Sequence, residues 1–129
     1  MSLRSLIVDD NGHFLVAARK LLEREGIEVV GVAATGAEAL RLAGDLRPDV
    51  ALVDIDLGEE SGFDVARRLV DSTGQESVVL ISTYPESDFA DLIAASAAVG
   101  FLSKSDLSAR NIYEILGRTG EEDRANPGG

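Results

Sequence analysis

Three acids, one lysine and one serine are the residues of this 129-residue chain whose types and spacing could do chemistry together. Asp9 and Asp10 directly follow the apolar run Leu6-Ile7-Val8, Asp54 directly follows Val50 to Val53, Ser82 closes Val78 to Ile81, and Lys104 stands just after Phe101-Leu102. A single acid after such a run is an ordinary turn former. Three acids converging on one point are different, because like charges raise one another's pKa and a hard divalent cation relieves the repulsion. That predicts a Mg²⁺ site at Asp9, Asp10 and Asp54. A compact ammonium such as Lys104 pairs with a carboxylate or a phosphoryl oxygen. With the Ser82 hydroxyl as donor, the set supplies what phosphoryl transfer to a carboxylate requires: an oxygen nucleophile, a metal and an ammonium to neutralise charge, and a hydrogen bond.

Convergence depends on the elements that carry these residues. The apolar runs at 6–8, 27–33, 50–53, 78–81 and 99–102 are short, rich in β-branched residues and stopped by polar turn formers, so they read as buried strands. Between them lie helical patterns. Phe14, Leu15, Ala18, Leu21 and Leu22 recur at helical spacing up to Gly26, and Thr35 caps a helix reaching about Leu46. Phe63, Ala66, Leu69 and Val70 mark a third helix, a fourth follows Pro85 and ends in Ala94 to Ala98, and a fifth runs from near Asp106 to Leu116. Fully apolar strands alternating with helices predict an α/β fold with a parallel sheet covered on both faces. In such a sheet ligands bind beyond the carboxyl ends of the strands, which is where the five residues stand.

Composition narrows the function classes. At 45% hydrophobic residues the chain can build a core, and its length suits one domain. Twelve Lys plus Arg against 23 Asp plus Glu give a net charge of −11 with no basic cluster, which argues against direct binding of nucleic acid. Without cysteine there are no disulfides, thiolate metal sites or thiol nucleophiles. The apolar runs fall far short of a membrane span and no signal peptide precedes the first strand, so a cytoplasmic address is expected. Residues 118–129 carry Gly, Pro, Glu and Asp without apolar period and read as a flexible C-terminal tail or linker after a domain spanning 1–117.

Over about residues 4 to 117 the sequence resembles a response-regulator receiver domain of two-component signalling. The resemblance is carried by Leu6 to Asp10 (LIVDD), Ala51 to Asp64 (ALVDIDLGEESGFD), Val78 to Thr83 (VVLIST) and Gly100 to Lys104 (GFLSK). The intervals of 28 positions from Asp54 to Ser82 and 22 from Ser82 to Lys104 are similar to those in receivers of LuxR-type regulators. It implies a flavodoxin-like, doubly wound five-stranded sheet of order 2-1-3-4-5 with five helices. It further implies Asp54 as phosphoacceptor, Asp9 and Asp10 as the acidic pair with Asp10 the more direct metal ligand, and the backbone carbonyl of Asp56 as a further ligand. Lys104 would bind the phosphoryl group, Ser82 would be the switch hydroxyl and Phe101 the switch aromatic. Asp56 and Tyr84 stand where the family tunes loss of the phosphoryl group.

Three positions depart from that pattern. Gly58 replaces a common proline after the acceptor, which predicts a more mobile loop. Ser105 replaces the proline often found after the lysine, so a cis peptide is not expected there. Ala97 stands where a glycine often follows the fourth helix, and a left-handed cap at alanine would cost roughly 1 kcal/mol. His13, the only histidine, reads as a solvated helix-start residue.

The implied function is a switch rather than an ordinary enzyme, with a sensor histidine kinase as donor. The modified domain would change self-association or an output partner through the fourth helix, fifth strand and last helix. One rival is a haloacid-dehalogenase-type phosphatase, since Asp54-Ile55-Asp56 resembles its nucleophile motif. There, however, the motif strand comes first and the acidic pair follows the lysine. An EF-hand reading fails because its fifth and twelfth positions would be Gly58 and Val65.

Overall fold

The computed structural model describes residues 2–117, so the expected tail at 118–129 lies outside the described residues. Five parallel strands, β1 (Arg4–Val8), β2 (Glu28–Ala33), β3 (Val50–Asp54), β4 (Val78–Ser82) and β5 (Gly100–Ser103), form one sheet in the order β2-β1-β3-β4-β5. The chain moves outward from β1 to β2, then crosses to β3 and onward, so the order reverses between β1 and β3. This is the flavodoxin-like topology, and the crevice at such a reversal is where open α/β sheets bind ligands.

Alternation along each strand sends side chains to two cores. Ile7, Leu52 and Ile81 pack with Leu22 of α1 (Gly12–Arg24) and Ile112 of α5 (Ala109–Ile115). Leu6, Val8, Val53 and Leu80 pack with Ala39 of α2 (Gly36–Leu46) and with Ala66 and Leu69 of α3 (Gly62–Thr73). β3 and β4 are buried along their whole length, which is why they read as unbroken apolar runs. Each fully buried Leu or Ile contributes about 1.5–3 kcal/mol relative to exposure. No helix among the described residues is long and apolar enough to cross a membrane.

Helices start where a side-chain oxygen can take an orphan amide. Asn11 accepts from Phe14 N, Thr35 from Glu38 N, Ser61 from Phe63 N and Ser108 from Asn111 N. At the other end of α2, Arg47 adopts φ 48° and is the sole non-glycine residue with positive φ among those described. Pro48 disfavours the right-handed helical region for Arg47, and the Arg4 guanidinium donates to the carbonyls of Arg47 (2.9 Å) and Leu46 (2.8 Å).

The second half of the chain departs from the expected boundaries. Instead of one helix running from Pro85 to Ala98, a 3₁₀ turn (Glu86–Phe89) leads into α4, which covers only Ala90–Ala94. The Ser96 hydroxyl ends it: Oγ donates to Ile93 O at 2.7 Å and accepts from Ala98 N at 3.2 Å, offering the backbone a local alternative to another helical turn. Ala97 is therefore not in the left-handed region, and the cost expected there does not arise. The last helix, expected from near Asp106, begins as α5 only at Ala109, after a 3₁₀ turn (Lys104–Asp106). No cis peptide occurs among the described residues, as expected with Ser105 after Lys104.

Candidate functional site

Strand register brings the site together. Val8 pairs with Val53, so Asp9 and Asp54 leave the sheet side by side at the same level, and Asp54 is itself paired with Ile81, the residue before Ser82. Ser82 pairs with Ser103, which places Lys104 one residue beyond the same edge. Asp9, Asp10, Asp54, Asp56, Ser82, Tyr84 and Lys104 all line one open cleft of about 300 Å³.

Asp9 is fully buried and Asp54 nearly so, whereas Asp10 is exposed at the rim. Each buried carboxylate is oriented by an amide two residues on: Asp9 Oδ1 accepts from Asn11 N at 2.9 Å, and Asp54 Oδ1 accepts from Asp56 N at 3.0 Å. Their second oxygens face the lysine. Lys104 Nζ lies 2.6 Å from Asp9 Oδ2 and 3.0 Å from Asp54 Oδ2, and donates a hydrogen bond to the latter. Asp9 Oδ2 is buried and, among the described residues, is compensated by its close ion pair with the Lys104 ammonium.

One oxygen from each of Asp9, Asp10 and Asp54 lies within 4.8 Å of the others. Such an all-carboxylate donor set, two of its members buried and one at the open rim, fits a hard divalent cation. Burial pushes the Asp54 carboxyl above its ordinary range and the charge of Asp9 adds to this, while the Asp56 amide and Lys104 pull the other way without cancelling it. For Lys104, burial favours the neutral amine, but the bonds to Asp9 and Asp54 outweigh it and hold the ammonium above its usual value.

Ser82 is buried at the cleft wall, its Oγ accepting from Tyr84 N at 2.9 Å. Tyr84 is 56% exposed and lies edge-on to Phe89 with centroids 6.4 Å apart. Phe101 is half-buried, packs against the core that contains Leu80 and lines a different cavity, with Thr83 and Ser103, so it is not part of the cleft itself. His13 is exposed and does not line the cleft.

Two glycines shape the chain just after Asp54. Asp56–Leu57 pairs antiparallel with Glu60–Ser61, and Gly58 turns between them at φ 73° with its amide donating to Asp56 Oδ1. A Cβ on Gly62 would fall 1.9 Å from Asp54 O and 2.5 Å from Ile55 Cα, so only glycine lets α3 begin directly against the backbone of the acidic strand. Asn11 and Phe14 were missed as neighbours of the site. Phe14 has the helical periodicity of a core residue, yet its ring lies over Lys104 Nζ at 4.4 Å from the centroid.

Comparison with known proteins agrees with this geometry. Residues 5–116 match the model of the response regulator receiver domain family. Response regulator GacA of Pseudomonas aeruginosa is 34% identical over 105 residues, covering 79% of this chain and 48% of that protein. The chain spans about half the length of the first curated relatives it matches. A two-component response regulator of the LuxR family from Aurantimonas sp. SI85-9A1 superposes with a TM-score of 0.79 at 27% identity, covering 92% of this chain and 89% of that one. A response regulator protein from Burkholderia pseudomallei, solved with a phosphorylated aspartic acid, calcium ion and citrate, gives 0.75 at 26% identity over 98% of this chain and 76% of its own. The phosphatase alternative falls away, since here the acidic pair leaves the first strand and the remaining groups follow in receiver order. On its family match, its sheet order and the placement of Asp9, Asp10, Asp54 and Lys104, this chain belongs to the response-regulator receiver domain family.

Proposed function

We propose that Asp54 is the phosphoacceptor of a two-component switch, taking its phosphoryl group from a phosphohistidine on a sensor kinase. The observation that carries this is the placement of Asp54: it lines the open cleft, its Oδ1 is tied to the Asp56 amide and its Oδ2 lies 3.0 Å from Lys104 Nζ, whereas the side chain of Asp9, the other buried acid, has no exposed surface. In the transfer, Oδ2 forms a bond to phosphorus as the phosphorus–nitrogen bond of the donor breaks, the electron pair leaving with the imidazole. Lys104 is within reach of an oxygen of the incoming group, and Ser82 Oγ, held by the Tyr84 amide, still has its own proton to donate.

Asp9, Asp10 and Asp54 would hold Mg²⁺, with Asp10 the more direct ligand of the acidic pair and the Asp56 carbonyl a further donor. When bound, the cation supplies charge neutralisation for the phosphoryl oxygens. The B. pseudomallei response regulator, solved with a phosphorylated aspartic acid and a calcium ion, supports this assignment. Asp56 and Tyr84, at the cleft rim, are placed to tune water access to the acyl phosphate.

The remaining parts of the reading concern partners. Movement of Ser82 toward the phosphoryl oxygens would free space for Phe101, and a close-packed interior turns such a shift into two discrete states read at α4, β5 and α5. A second copy or an output module would engage that face. Residues 1–117 would be the receiver and 118–129 its tail or linker, in a cytoplasmic protein. Incubation with acetyl phosphate and Mg²⁺ followed by mass mapping of the acid-labile adduct tests the central assignment. One phosphoryl group at Asp54, absent in Asp54→Asn, is expected; full modification of that variant would overturn it.

A further inference from the structure

The first turn of α1 follows closely on Asp9-Asp10 and brings the ring of Phe14 against Lys104, a residue of the cleft wall. Asn11 accepts from Phe14 N at 3.1 Å, so the residue that caps the helix also fixes where the ring begins. Lys104 approaches from the opposite side of the chain, out of β5 and into a 3₁₀ turn with no side-chain cap. Its four-carbon stem loses considerable rotamer freedom to hold one geometry. Yet its side chain is only 13% exposed, with two carboxylate oxygens on one side of Nζ and the Phe14 ring on another, 4.4 Å to the centroid.

We propose that Phe14 is a positioning residue for phosphoryl transfer, its aromatic face holding the Lys104 ammonium over the acceptor by a cation–π contact. The role deepens, and rests on, the reading of Asp54 as phosphoacceptor. An aliphatic side chain of similar size would fill the space between α1 and the core of Ile7, Leu22 and Leu52. It would not offer the negative face that attracts a partly desolvated cation, an attraction that strengthens as water is excluded. The ring therefore lowers the freedom of Nζ without competing for the hydrogen bonds that Asp54 and an incoming phosphoryl oxygen need. Phe14 touches no reacting atom and acts only through Lys104.

The test compares Phe14→Leu, which keeps apolar bulk, with Phe14→Tyr, which keeps the ring. Two readouts are used: the rate of Asp54 modification by acetyl phosphate with Mg²⁺, and the chemical shift of the Lys104 ε-methylene protons, which a ring face moves upfield. Phe14→Leu is expected to be modified about fivefold more slowly and to lose the upfield shift, with both restored in Phe14→Tyr. Equal rates for the parent and Phe14→Leu, or equal slowing in both variants, would overturn the proposal in favour of plain core packing. Should the parent itself take no phosphoryl group, the acceptor reading fails, and the Lys104 shift in the three proteins then decides alone whether the ring holds the ammonium.

Discussion

Lys104 Nζ stands nearer to Asp9, at 2.6 Å, than to Asp54, at 3.0 Å. The ammonium is thus the counter-ion of two of the three carboxylates that would hold a divalent cation, and the two positive charges would compete. Replacing Lys104 with the uncharged Met should raise the affinity for Mg²⁺, on the order of tenfold at low ionic strength, because a repelling charge a few ångströms from the ion is removed. Calorimetric titration of parent and Lys104→Met with MgCl₂ measures this; weaker binding in the variant would show that Lys104 organises the carboxylates more than it repels the ion.

Asp10 sits at the exposed rim with its carboxylate close to those of Asp9 and Asp54. Ligand linkage then predicts that Mg²⁺ raises the melting temperature of the parent, and that Asp10→Ala responds much less. Thermal melts across a Mg²⁺ series decide it, an equal response in both proteins arguing against Asp10 as ligand.

Burial and the neighbouring charge of Asp9 raise the Asp54 carboxyl above its unfolded value. A group raised in this way contributes stability that is fully present below its unfolded pKa and is lost as pH rises through the folded pKa. At neutral pH in EDTA the ionised Asp54 should therefore be a liability. Asp54→Asn, whose side-chain oxygen can still accept from the Asp56 amide, is expected to be about 1 kcal/mol more stable. Urea unfolding of the two proteins should show this gap narrowing as pH falls through the carboxylate range; a gap that widens on acidification would contradict the sign.

Gly62 accounts for how α3 reaches the acidic strand. A methyl group there meets Asp54 O, Ile55 Cα and Asp54 C, all backbone atoms with no rotamer to change. Gly62→Ala is expected to cost about 3 kcal/mol or more and to slow modification of Asp54, because the strand end must shift. Chemical denaturation and acetyl phosphate kinetics on the same preparation check both effects.

The switch reading predicts altered amide exchange in the segments from Ser82 to Leu116 when beryllofluoride occupies the site with Mg²⁺. Protection changes confined to the loops around Asp9 and Asp54 would separate phosphorylation from output in this protein.

Much of the site was legible in the sequence because strand ends are local events. A β-branched apolar run stopped by Asp9, Asp54 or Ser82 needs no distant information to be read. Five such runs alternating with helical periodicity already imply a parallel sheet whose strand ends share one edge. Composition added the absence of thiol chemistry and the excess of negative charge. Other features depend on what meets what across the fold. The arrest of α4 at Ala94 turns on whether the Ser96 hydroxyl bonds back to Ile93, a choice that an alanine-rich stretch does not display. Gly62 looks like any loop glycine until α3 is laid against Asp54. Phe14 and Lys104 are ninety positions apart, and each has an ordinary local reading, one as core and one as loop. The register that aligns the carboxyl ends of β1 and β5 across β3 and β4 is a long-range property of the sheet, and with the start of α1 it puts the ring against the ammonium.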